Sequence, residues 1–133
     1  MLQPQALQPH YSILIADDDD ACRFTLREIF EPRGYRTYLA ANGEEAIAIV
    51  EDHLVDCVLL DMHMPILSGL EALALLRQFR ATLPCILLTA DASQRLLQQA
   101  LSLRAFTVLT KPISRELVTI TVRRALESSN NCR

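Results

Sequence analysis

The chain has 133 residues, half of them apolar and 22% charged, which suits one compact domain that buries roughly two-thirds of its unfolded surface and excludes a chain disordered throughout. Thirteen basic against sixteen acidic residues leave a net charge of −3, without the positive surplus of a phosphate-tracking nucleic-acid binder. The three glycines, Gly34, Gly43 and Gly69, lie too far apart for a dinucleotide-binding or Walker loop. Residues 1–11 contain no basic stretch and are interrupted by Pro4 and Pro9, so they are read as a flexible tail rather than a signal peptide. Residues 12–16 (SILIA) are apolar, isoleucine-rich and too short for a helix, which predicts a buried strand. Over residues 21–33 the positions Cys22, Leu26, Ile29 and Phe30 repeat on one helical face, and Gly34 supplies a stop. Residues 35–40 predict a second strand. Asn42 with Glu45 resembles a capping box and opens a helix carrying Ala46, Ile47, Val50 and Leu54.

Residues 56–60 (DCVLL) predict a third strand, and Ser68 with Glu71 a second capping box before Leu70, Leu73 and Leu76. Residues 84–89 (PCILLT) follow as strand four, then a helix marked by Leu96, Leu97, Ala100 and Leu101. Residues 106–109 (FTVL) predict strand five, and Ser114 caps a last helix with Val118, Val122 and Ala125 on one face. Residues 12–127 thus form the domain, and the polar 128–133 (SSNNCR) are a fraying tail or the start of a linker. The four cysteines form no CxxC pair, and Cys57 and Cys85 fall inside apolar runs as small core residues. No apolar stretch reaches the roughly 20 residues that a membrane span needs, and a cytoplasmic location is expected. Five strands alternating with five helices predict an α/β domain with a doubly wound parallel sheet, in the flavodoxin-like order 2-1-3-4-5.

In such a sheet ligands bind beyond the carboxyl ends of the strands. Strand one ends in Asp17, Asp18, Asp19 and Asp20, strand three in Asp61, strand four in Thr89, and strand five runs into Lys111 and Pro112. Each has an ordinary alternative: a solvated acidic loop in which Asp19 or Asp20 caps the helix, a turn aspartate, a strand-end hydroxyl, a surface lysine. Lys111 is, however, the only lysine, the other twelve basic residues being arginine. Crowded carboxylates disfavour one another's ionisation unless a cation intervenes. Too few hard oxygens for an all-protein cage suit Mg²⁺, and Mg²⁺ beside a carboxylate, a hydroxyl and an ammonium is equipment for phosphoryl transfer.

ILIADDDD, LLDMHMP, LLTA and LTKP, in this order, resemble the receiver domain of two-component response regulators over residues 11–127. The resemblance implies a phospho-accepting switch charged by a sensor histidine kinase or a histidine phosphotransfer protein and read by a downstream protein target. The charge balance and the lack of a long apolar stretch speak against nucleic-acid or membrane contact by this domain, and a phosphorylation-dependent dimer is a further option. Asp61 would be the phosphoacceptor. Asp17 and Asp18 would hold Mg²⁺, Asp18 directly and Asp17 through water, with the backbone carbonyl of His63 as a further ligand. Thr89 would move to bond the phosphoryl oxygen, and Lys111 would pair with Asp61 and later its phosphate. Pro112 follows a peptide bond that is often cis in the family. His63 and Asp91 occupy positions that tune phosphate lifetime.

Two positions depart from the family pattern. Val108 stands where most receivers carry Tyr or Phe, so signalling by movement of the loop after strand four is expected instead of an aromatic flip. Phe106, two residues earlier on the same strand face, does not fill the gap. Arg104 replaces a common glycine. Self-phosphotransfer and hydrolysis of the product are then the only chemistry, which makes the chain no enzyme in the usual sense. Two alternatives are a Mg²⁺-dependent phosphatase with an aspartate nucleophile and a non-phosphorylated pseudo-receiver. The first normally has its nucleophile on strand one and a cap domain, and the second is opposed by the complete residue set.

Overall fold

The computed structural model describes residues 10–131. In chain order it contains β1 (Ser12–Ala16), α1 (Asp20–Phe30), a 3₁₀ turn (Glu31–Arg33), β2 (Arg36–Ala40), α2 (Gly43–Asp52) and β3 (Cys57–Asp61). There follow α3 (Gly69–Phe79), β4 (Cys85–Thr89), α4 (Gln94–Ser102), β5 (Thr107–Thr110) and α5 (Arg115–Asn131). The strands form one parallel sheet in the order β2-β1-β3-β4-β5, as the alternation of elements predicted.

Side chains on successive strand residues point to opposite faces, and both faces are apolar. Leu14, Ala16, Val58, Leu60, Cys85 and Leu87 lie under α2, α3 and α4, against Ala46, Val50, Ala72, Leu73, Leu76, Leu96 and Ala100. Ile13, Ile15, Cys57, Leu59, Ile86 and Leu88 meet α1 and α5 through Leu26, Ile29, Phe30, Val118, Val122 and Ala125. The three central strands, β1, β3 and β4, are buried along their whole length, so polar groups emerge only at their tips.

The helix starts follow the caps read from the sequence. Asn42 accepts the Glu45 amide at 2.8 Å, Ser68 and Glu71 form a reciprocal capping box, and Ser114 accepts the Leu117 amide at 3.2 Å. Asp19, rather than Asp20, caps α1 through the Ala21 amide at 3.0 Å. Gly34 ends the 3₁₀ turn with φ +93°, a conformation that other residues enter only with strain.

Several expectations need correction. Leu54 lies beyond the end of α2 and is 85% exposed, because the helix stops at Asp52 with His53 as its C-cap. On α4 only Leu96 and Ala100 face inward, four residues apart, while Leu97 and Leu101 lie outside that stripe and are exposed. Strand β5 begins at Thr107, not Phe106, and extends to Thr110. Helix α5 continues through Asn131, so 128–131 extend the helix past the expected boundary at 127. Tyr11, assigned to the tail, is half-buried against the α1–α5 layer, and its carbonyl accepts the Arg36 amide at 2.9 Å. Residues 1–9 of the expected tail, and Cys132 with Arg133, fall outside the described residues.

Candidate functional site

The carboxyl ends of four adjacent strands deliver the polar groups to one rim. Asp17 follows β1 directly, and its amide still bonds the Ala40 carbonyl of β2 at 3.0 Å. Asp61 is the last residue of β3, and the next amide, Met62, bonds Leu88 of β4 at 2.8 Å. The Lys111 amide bonds the Thr89 carbonyl at 2.7 Å. Sheet register therefore levels these positions before any side chain contributes. Asp17 and Thr89 are fully buried and Asp61 is 4% exposed, whereas Asp18 is open to solvent.

Lys111 Nζ lies 3.1 Å from Asp17 Oδ2 and 3.2 Å from Asp61 Oδ1. Asp17, Asp18 and Asp61 each present one oxygen, all within 4.8 Å of one another. Burial and the charge of Asp17 push the Asp61 carboxyl above the usual carboxylate range, against the pull of Lys111. Burial acts the same way on Asp17, but the Cys22 thiol, the Asp19 amide and Lys111 together hold it below that range. Burial would lower the Lys111 ammonium, yet the two carboxylates outweigh it and raise it. One ammonium thus serves two buried carboxylates, with a third carboxylate beside them. A hard divalent cation suits this donor set, and the acidic cluster is compatible with Mg²⁺.

The remaining residues singled out in the sequence have different partners. His63 is exposed, and its amide lies 3.4 Å from Asp61 Oδ1. The Thr89 hydroxyl is engaged with the main chain of Asp91, accepting its amide at 3.1 Å and donating to its carbonyl at 3.2 Å. It makes no hydrogen bond to Asp61 among the described residues. The Asp91 side chain is exposed. The peptide bond between Lys111 and Pro112 is cis. Val108 is half-buried against the α2–α4 layer. Phe106 is 40% exposed, its amide bonds Cys85 at the start of β4, and it lines a cavity at the opposite end of the sheet with Tyr11 and Pro84.

Two groups at this rim escaped the sequence reading. Cys22 adjoins the Asp17 carboxylate, and burial and that neighbour push its thiol up to about 12. Its membership of the Leu26 stripe concealed this, although a place on the first turn after the strand is the nearest a helix residue comes to the strand end. Arg23 reaches back to the Asp17 carbonyl at 2.5 Å and pairs with Asp20. The spacing of Asp20 and Arg23, three apart on one helix, was the available signal.

Gly69 and Ile66 shape the segment after β3. A Cβ on Gly69 would stand 2.5 Å from the Asp61 carbonyl oxygen and 2.9 Å from Met62 Cα, so α3 starts in direct contact with the strand end. Ile66 has φ +71° and is 71% exposed, and Arg104 before β5 has φ +59°.

The response regulator receiver domain family model matches residues 13–123, and the chain belongs to that family. It is 34% identical over 119 residues to the sporulation initiation phosphotransferase F of Bacillus subtilis, covering 90% of this chain and 96% of that protein. It is 40% identical over 107 residues to the transcriptional regulatory protein CpxR of Klebsiella pneumoniae, 80% of this chain but only 45% of the relative. Among solved structures, a CheY-like receiver domain protein from Methanospirillum hungatei superposes with a TM-score of 0.90 at 26% identity, covering 94% of this chain and all of that one. The chain is therefore a receiver domain of two-component response regulators, a family that is not typically catalytic.

Proposed function

We propose that this receiver accepts a phosphoryl group on Asp61 from the phosphohistidine of a sensor kinase or phosphotransfer protein. The observation that carries this reading is the convergence of three carboxylate oxygens within 4.8 Å, with Lys111 3.2 Å from Asp61. In the transfer a carboxylate oxygen of Asp61 attacks phosphorus, the O–P bond forms and the P–N bond breaks. The histidine nitrogen leaves with the electron pair and takes a proton from solvent. Asp17, Asp18, Asp61 and the His63 carbonyl would hold Mg²⁺, which when bound would supply charge neutralisation at the phosphoryl oxygens. Lys111, 3.2 Å from Asp61, would do the same with its ammonium.

The Thr89 hydroxyl then exchanges its bonds to Asp91 for one to the phosphoryl group, which pulls on the loop joining β4 to α4. A partner that prefers the altered loop reads the switch. With Val108 in place of an aromatic residue, main-chain movement carries the signal. V108Y should then change target affinity, and an unchanged affinity removes Val108 as the altered element. His63 and Asp91, exposed beside the acceptor, set the rate at which water reaches the phosphoryl group. An unchanged dephosphorylation rate in H63A removes that role. A cytoplasmic site of action is part of this reading; no helix among the described residues is long and apolar enough to cross a membrane.

The direct test is incubation with acetyl phosphate and Mg²⁺, followed by intact-mass measurement. One phosphoryl group should add to the wild type and none to D61N, and chelation should abolish the gain. Equal labelling of D61N, or no labelling of the wild type, overturns the proposal.

A further inference from the structure

The carboxylate most exposed in the acidic cluster has the least to hold it. Asp18 makes no side-chain hydrogen bond or ion pair among the described residues, in contrast to Asp17, which is held by Lys111 and the Asp19 amide. Asp18 can be placed only through its main chain. The residue before it is fixed from two directions: the Asp17 amide bonds Ala40 of β2 at 3.0 Å, and the Asp17 carbonyl accepts Arg23 Nη1 at 2.5 Å. That carbonyl belongs to the peptide unit that carries the Asp18 amide.

Arg23 is itself constrained. Its side chain is 12% exposed, and Nη2 pairs with the Asp20 carboxylate. A planar guanidinium spans the carbonyl on one side and the carboxylate on the other, stapling the first turn of α1 to the end of β1. A lysine ammonium is a point donor on a flexible stem and does not reproduce that two-sided grip.

We propose that Arg23 is a positioning residue for the cation site, fixing the Asp17–Asp18 peptide unit and so the place of the Asp18 carboxylate. This rests on reading the acidic cluster as the Mg²⁺ site. Arg23 bonds the Asp17 carbonyl and the Asp20 carboxylate, and among the described residues none of the three carboxylates of the cluster. Its positive charge acts in the opposite sense, since a cation beside an acidic cluster lowers that cluster's attraction for another cation. Charge and geometry therefore predict opposite signs on removal of Arg23, which makes them separable.

The experiment is calorimetric titration of the metal-free protein with Mg²⁺ alone, for wild type, R23K and R23M. The rise in Tm with Mg²⁺ provides a second reading. Both variants should bind about tenfold more weakly, the lower end of what losing a residue behind a metal ligand costs. R23K keeps the charge and a good helix former, so it decides the matter alone if R23M does not fold. Wild-type affinity in R23K, with equal or tighter binding by R23M, makes Arg23 a charge and overturns the assignment while the Mg²⁺ site stands. A wild type that binds no Mg²⁺ removes the site and this role together.

Discussion

Lys111 Nζ donates to Asp17 Oδ2 at 3.1 Å across the width of the site, joining the end of β5 to the end of β1 two strands beyond its own neighbour. Asp17 is fully buried, so removing the ammonium strands its charge. K111M should lose about 2 kcal/mol of stability near pH 7, less than a fully buried pair because Lys111 keeps a quarter of its side-chain surface in water. Lys111 titrates above its ordinary 10.5 in the fold, so its contribution is complete below that value and lost as pH rises through the folded one. Urea unfolding across pH should show a constant gap from pH 6 to 9 that closes in strong alkali. A gap that stays open above the folded value assigns the loss to packing.

Asp61 is held in a state that works against the fold. Its carboxyl titrates above the ordinary 3.8 through burial and the neighbouring Asp17, so the folded protein binds its proton more tightly than the unfolded chain does. Stability therefore falls as pH rises from the unfolded to the folded value and stays lower above it. D61N should be more stable than wild type by about 1–3 kcal/mol at pH 7 without metal, as is common when a buried charge is replaced. The advantage should vanish in acid below the ordinary carboxylate range. Added Mg²⁺ should raise the wild-type Tm far more than that of D61N.

Gly69 lies against the Asp61 carbonyl through backbone alone. G69A gains helix propensity at the start of α3, worth about 1 kcal/mol, but its Cβ meets the Asp61 carbonyl and Met62 Cα, neither of which can rotate away. The expected result is a net loss of about 2 kcal/mol, with phosphorylation by acetyl phosphate slowed at temperatures where the variant stays folded. Wild-type kinetics in folded G69A would show that the strand end accommodates the methyl group without moving Asp61.

Ile66 supplies the opposite case. A β-branched residue at φ +71° with most of its surface in water combines left-handed strain with little burial in return. I66G should raise stability by about 0.5–1 kcal/mol, the relief of strain less the greater entropy of glycine in the unfolded chain. Thermal unfolding would show a Tm about 2–4 °C higher. No rise means that contacts of the Ile66 side chain already offset the strain.

The strands were legible because burial on both faces leaves near-continuous apolar runs, as in CVLLD and CILLT, and the caps because Asn42 and Ser68 stand three residues before a glutamate. The gathering of Asp17, Asp61, Thr89 and Lys111 followed from strand order, which turns distance along the chain into adjacency at the rim. Side-chain direction was not legible. Thr89 turns to the Asp91 main chain, and Arg23 folds back across its own helix start, choices set by which donors lie within reach. Leu54, Leu97 and Leu101 misled because hydrophobicity marks a residue that can be buried, while the helix end and the phase of the stripe decide whether it is. The length of α5 was missed because a run such as ESSNN carries no apolar period to follow.

The solitary lysine makes the rim chemically addressable. Lys111 is the only side-chain amine in the 133 residues, and the two aspartates beside it keep it protonated and slow to acylate. Once reaction at the α-amino terminus is told apart by peptide mapping, an amine-selective reagent would report on one internal atom. Its labelling rate would register any event that adds or removes negative charge next to that nitrogen, without a reporter group having to be engineered in.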